Sequence, residues 1–257
     1  MRLTYLALAL CLVSVASAAG ESADLRREKL RNLPVTVYPD FYVGESPFVK
    51  QLNDLTRPGD AVVVSHLDAL KGSFRVADVG LKQADVWVHV ANDTLISERQ
   101  RNLAGAKAVV FVPGRYHDGV RREAQMMRED TQHLGIPLVV GLEYPDTRVL
   151  AHVGEIARYG DVITVYARSE LSSGRVAFRE YVERVVRAAK EANPNIKVEV
   201  AVAAARTREA TLAVYGALLD SADLADRVAI YCNDTPEAAT SLAELMHALR
   251  DPAAPTA

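Results

Sequence analysis

Short β-branched apolar runs recur along the chain, and between them apolar residues return every third or fourth position. The runs are Val35 to Tyr38, Ala61 to Ser65, Val86 to Ala91, Ala108 to Val112, Leu138 to Leu142, Val162 to Ala167, Val198 to Ala203 and Val228 to Cys232. Their starts lie 22 to 36 residues apart, room for a strand, a helix and two short loops. Parallel strands need crossovers of that length. The helical stretches carry end signals. Phe178, Tyr181, Val182, Val185, Val186 and Ala189 share one face ahead of Asn193-Pro194. Leu134-Gly135-Ile136-Pro137 is a glycine stop, and Thr235-Pro236-Glu237 opens the last helix with a cap, a first-turn proline and an acid.

Eight strand–helix units in one chain of this size predict a closed (β/α)8 TIM-type barrel, a fold of typically about 250 residues. An open doubly wound sheet often carries a glycine-rich phosphate loop after its first strand; here Tyr38-Pro39-Asp40-Phe41 stands there instead. The barrel is expected over residues 32–250, after a signal peptide at 1–18 and a flexible lead-in at 19–31, with 251–257 as a disordered tail. Met1-Arg2, an apolar run from Leu3 to Val15 and Ala16-Ser17-Ala18 form the n-region, h-region and cleavage site of a secretory signal. The run is shorter than the roughly 20 residues of a spanning helix, so the expected address is secreted or periplasmic, with no membrane span.

Alternation assigns side chains to the two faces of each strand. Placing the bulky β-branched residues against the helices leaves Thr36, Tyr38 and Asp40 inward on the first strand. Trp87 and His89 follow on the third, Val139, Gly141 and Glu143 on the fifth, and Thr164, Tyr166 and Arg168 on the sixth. The seventh turns in Glu199, Ala201 and Ala203, and the eighth Ala229, Tyr231 and Asn233. The second and fourth are apolar on both parities and do not decide. A barrel kept only for stability fills its centre with Val, Ile and Leu. This one is expected to hold a polar, aromatic-rimmed pocket.

Composition narrows the chemistry. With 49% hydrophobic and 25% charged residues and a net charge of −3, the 257-residue chain is neither a disordered segment nor a polyanion binder. No stripe of Lys and Arg suits nucleic acid. Cys11 leaves with the signal and Cys232 faces outward, so neither a disulfide nor a thiol mechanism is expected. There is no Gly-x-Ser-x-Gly elbow. His66, Asp68, His117 and Asp118 follow strands two and four, but the H-x-H and H-E-x-x-H spacings are missing, and no metal or cofactor is expected.

Two carboxylates across a pocket are what glycoside hydrolysis needs. Glu143 is the leading acid/base candidate, with Glu199 or Glu170 as the second carboxylate. Tyr38, Asp40, His89, Tyr166, Arg168, Tyr231 and Asn233 are candidates to bind substrate. Plainer roles stay open: Glu199 could pair with Arg168, His89 could be a hydrogen-bonded interior residue, and Asp40 could cap a helix. The alternative to an enzyme is a non-catalytic barrel that binds a saccharide or another small polar ligand.

Pro34-Val35-Thr36-Val37-Tyr38-Pro39, with Pro58-Gly59-Asp60 and the Val62-Val63-Val64 strand, resembles the opening of the spherulin-4-like secreted barrels. That resemblance, over about the first quarter of the mature chain, implies a (β/α)8 fold related to glycoside hydrolases that act on amino-sugar polymers. Ser65-His66-Leu67-Asp68 replaces that family's Asn-Pro and Gly-rich turn, and its later acid-rich segment is missing, so no catalytic residue carries over. Arg158 to Asp161 and on through Asn195 resembles exported bacterial barrel proteins of unassigned role.

Overall fold

The computed structural model describes residues 23–40, 48–65, 76–90, 103–113, 119–142, 147–167, 171–205, 207–233 and 236–251. Eight strands close into a barrel in chain order, every pair parallel, with the last strand returning to the first. They are β1 (Val35–Asp40), β2 (Ala61–Ser65), β3 (Asp85–Val90), β4 (Ala108–Phe111), β5 (Leu138–Leu142), β6 (Val162–Tyr166), β7 (Lys197–Ala203) and β8 (Arg227–Asn233). The (β/α)8 expectation holds. Around the barrel stand α1 (residues 23–32), α2 (Phe48–Leu55), α3 (Val120–Leu134), α4 (Thr147–Ala157), α5 (Arg175–Ala192), α6 (Arg208–Asp220) and α7 (Pro236–Arg250).

The helix ends follow local chemistry. Gly135 takes φ 65° beyond α3, where its N–H and that of Ile136 satisfy the carbonyls of Gln132 and Thr131. Thr207 starts α6 by accepting the Ala210 N–H on its hydroxyl at 3.2 Å. Where the sequence suggests a flexible lead-in, residues 23–32 are helical. Leu30 is buried against the outer core there, and Lys29 reaches the Asp223 carbonyl at 3.0 Å. Residues 1–22 and 252–257, with the expected signal and most of the expected tail, lie outside the described residues.

Two separate cores confirm the alternation. The larger lies between sheet and helices and contains Val35, Val37, Val86, Val88, Ile163, Val165, Val198, Val200 and Cys232, among others. The smaller fills the lumen with Tyr38, Trp87, Val139, Val162, Ala201 and Ala229. It also settles the two undecided strands: Ala61 and Val63 point inward from β2, Ala108 and Val110 from β4. The strands β7 and β8 begin one residue earlier than the apolar runs suggest, which puts Lys197 and Arg227 on the inward parity.

Three aspartates clip the N-terminal ends of the strands together. Each directly precedes one strand and accepts a backbone N–H from the start of the strand before it. Asp60 takes Val35 N–H, Asp161 takes Leu138 N–H and Asp226 takes Val198 N–H, each at 2.8 Å. Arg250 covers Asp60, Arg128 covers Asp161, and Lys190 stands 3.7 Å from Asp226. These clips tie neighbouring strand starts together at the N-terminal end of the barrel.

Candidate functional site at the C-terminal end of the barrel

The middle of the lumen is organised by one carboxylate. Glu199 on β7 is fully buried. Its Oε1 accepts from the Tyr38 phenol at 3.0 Å and from Thr164 Oγ1 at 2.8 Å; its Oε2 accepts from Thr36 Oγ1. Arg227 Nε lies 3.5 Å from Oε2 and also donates to Thr36 Oγ1 at 3.3 Å. All four partners are donors, which is the arrangement a buried carboxylate needs. The guanidinium beside Glu199 is therefore Arg227, from the following strand. Arg168 lies outside the described residues.

Towards the C-terminal ends of the strands the lumen turns aromatic. Tyr38 stacks on Tyr231 with ring centroids 4.5 Å apart, and Tyr166 leans on Tyr231 at 4.8 Å. The strand register makes this cluster: Tyr38 is level with Tyr231 across β1 and β8, while Tyr166 sits beside Ala201 on β7. Alanines at 201, 203 and 229 leave room for the rings. Burial, reinforced by the Glu199 charge and by Tyr231, holds the Tyr38 phenol well above its ordinary value, so it stays protonated and donates to Glu199. Tyr38 is thereby fixed from below, while Tyr166 and Tyr231 are only partly buried.

His89 is half-buried on β3, level with Val110 on β4. Asp40 and Asn233 close β1 and β8 at the same level of the register. Glu143 directly follows the last residue of β5, and Glu170 follows β6; both lie outside the described residues, as do His66, Asp68, His117 and Asp118. Among the described residues no cluster of His, Cys, Asp and Glu could hold a metal ion. Cys232 faces the helices, and burial pushes its thiol up to about 11. Among the described residues no helix is long and apolar enough to cross a membrane.

Fold and lumen together define a (β/α)8 barrel with a tyrosine cluster at its C-terminal end. Solved structures share that fold at low identity. Orotidine 5'-monophosphate decarboxylase from Methanocaldococcus jannaschii superposes with a TM-score of 0.54 at 10% identity, over 84% of this chain and 99% of that one. An archaeal fructose-1,6-bisphosphate aldolase gives 0.51 at 16% identity, over 86% and 99%. A glucosidase from Croceicoccus marinus gives 0.55 at 10% identity, over 86% of this chain and 67% of that one. No protein-family model and no curated protein sequence matches the chain. These likenesses establish the barrel and leave the reaction to the residues.

Proposed function

We propose that this is an exported barrel protein that binds a saccharide or similar small polar ligand at the C-terminal end of its strands. The observation that carries the reading is the tyrosine cluster, in which Tyr166 and Tyr231 are partly buried beside a Tyr38 anchored to Glu199. Flat phenol rings offer apolar faces to the C–H surfaces of a sugar and hydroxyls to its polar edge. Barrels of this architecture place their ligands at this end. In this reading Glu199 is a positioning residue that holds Tyr38, since its oxygens are occupied and it is enclosed. Export rests on Met1–Ala18, and the likeness of residues 34–64 to spherulin-4-like secreted barrels points the same way.

A second reading makes the protein a glycoside-hydrolase-type enzyme. It is favoured by the glucosidase of the same fold and by the position of Glu143 at the end of β5. Glu143 and Glu170 would then be the two carboxylates, with Arg168 and Asn233 orienting the sugar. A glycan-array screen followed by product analysis tests both. Binding that is lost in Tyr166→Ala and Tyr231→Ala, with no product, supports the binding protein. Product release that stops in Glu143→Gln supports the hydrolase. Absence of any glycan binding, or binding unchanged in both tyrosine variants, overturns the proposal.

A further inference from the structure

The opposite end of the barrel holds a cavity of about 600 Å³ that the proposed function does not use. Its floor is the lower lumen: Trp87, Val139 and Val162, with Ala108 leaving space. Its walls carry five cations, Lys107, Arg128, Arg158, Lys197 and Arg227, against two acids, Asp85 and Asp161. Some of these charges are already matched. Arg128 pairs with Asp161, whose carboxylate also holds the Leu138 N–H. Arg227 lies 4.7 Å above the Trp87 ring and beside buried Glu199. Lys107, Arg158 and Lys197 make no ion pair among the described residues, and all three are exposed at the rim. Set against Asp85, these three leave a net charge of +2 at the mouth of a protein whose overall charge is −3.

Like charges converging on one concavity repel each other, and that repulsion is relieved when an anion sits between them. The three cations come from three separate connections, before β4, before β6 and at the start of β7, so only barrel closure brings them together. The Asp161 and Asp226 clips hold the starts of β5 and β7, and the backbone N–H groups of Lys107 and Lys197 donate to the Val86 and Asp161 carbonyls at 2.9 and 3.0 Å, which makes the bowl preformed. We propose that the N-terminal mouth of the barrel binds a small dianion, a molecule bearing one phosphate or two carboxylates. Lys107, Arg158 and Lys197 supply the charge, and the neutral side chain of Asn195 lies on the same wall.

Isothermal titration of the purified protein with inorganic phosphate and, separately, with succinate at low ionic strength tests this. Saturable binding of phosphate alone assigns a phosphate-bearing ligand, and of succinate alone a dicarboxylate; binding of both shows that the mouth reads charge. The Arg158→Gln/Lys197→Gln variant should lose roughly tenfold or more in affinity, because two charge-assisted contacts are removed. Arg184→Gln/Arg187→Gln removes the same charge from the exposed side of α5 and should bind as the wild type does. Thermal melting confirms that both variants fold. No saturation with either anion by about 10 mM, or equal losses in the two double variants, overturns the proposal.

Discussion

Glutamine at position 199 would keep the shape of the side chain and remove its charge. In the wild type Oε1 accepts from Tyr38 and Thr164, Oε2 accepts from Thr36, and Arg227 Nε stands 3.5 Å away. At that separation two unit charges attract by about 5 kcal/mol at an effective dielectric near 20, before desolvation is counted. Glutamine offers one acceptor oxygen and an amide that must itself donate. The hydroxyls of Thr36 and Thr164 can turn to accept from it, but a guanidinium cannot. The Arg227 side chain is only 13% exposed, so water replaces the lost counter-charge poorly. Removing one partner of a buried pair costs about 3–5 kcal/mol. Against a total stability of about 5–15 kcal/mol, that is a large fraction. Tyr38→Phe deletes the hydrogen bond to the charged Glu199 acceptor and the longer 3.3 Å contact with Thr164 Oγ1, and should cost less, about 1.5–3 kcal/mol. Urea unfolding reads both as a lower midpoint at unchanged m. A Glu199→Gln protein within about 1 kcal/mol of wild type, or more stable, would refute the anchoring role, since groups held for chemistry are often held against stability.

Gly141→Ala should destabilise by about 1–3 kcal/mol, because the added methyl falls 2.7 Å from Val112 Cγ2 in the lumen; Val112→Ala in the same chain should restore most of the loss in a melting experiment. The raised Tyr38 value fixes a sign for alkaline pH. Its contribution to stability is complete below the unfolded phenol value of about 10 and is lost as pH climbs through the folded value. The urea midpoint should therefore fall more steeply above about pH 10 in wild type than in Tyr38→Phe, and equal slopes would contradict the assignment.

Strand positions and their inward parity were legible because both follow from a period of two, and burial on the helix side selects β-branched residues wherever one strand face is outward. The period fails on β2 and β4, where Val63 and Val110 fill the lumen with the same residue type that faces the helices. Only closure of the barrel sorts those two. Pairing was harder to read than direction. Glu199 lies level with Thr164 on one side and Arg227 on the other, and the strand-start rule that places β8 at Val228 hides Arg227 in the preceding loop. A signal for the clips does exist in the chain: Gly59-Asp60, Gly160-Asp161 and Ala225-Asp226 each precede an apolar run. Read as a repeat, they mark the N-terminal end of a strand and a carboxylate aimed at its neighbour. The cationic mouth has no such signature, since Lys107, Arg158 and Lys197 are far apart in sequence and become neighbours only in the ring.

Glu199 stands between the two ends of the barrel, and this gives a test in which general destabilisation and specific chemistry part company. Above it the carboxylate fixes Tyr38 in the tyrosine cluster; below it the same carboxylate offsets Arg227, which lines the cationic mouth. Glu199→Gln removes the anchor from the upper end and leaves one more uncompensated positive charge at the lower. Saccharide affinity should fall, while phosphate affinity should rise. Because a ligand stabilises the folded state by RT ln(1 + [L]/Kd), tighter binding should make phosphate raise the melting temperature of Glu199→Gln by more than it raises that of the wild type. A loosened barrel would weaken both ends together. Equal phosphate stabilisation of the two proteins would show that Arg227 does not sense its partner's charge at the mouth, and would separate the two ends that the geometry ties through this one residue.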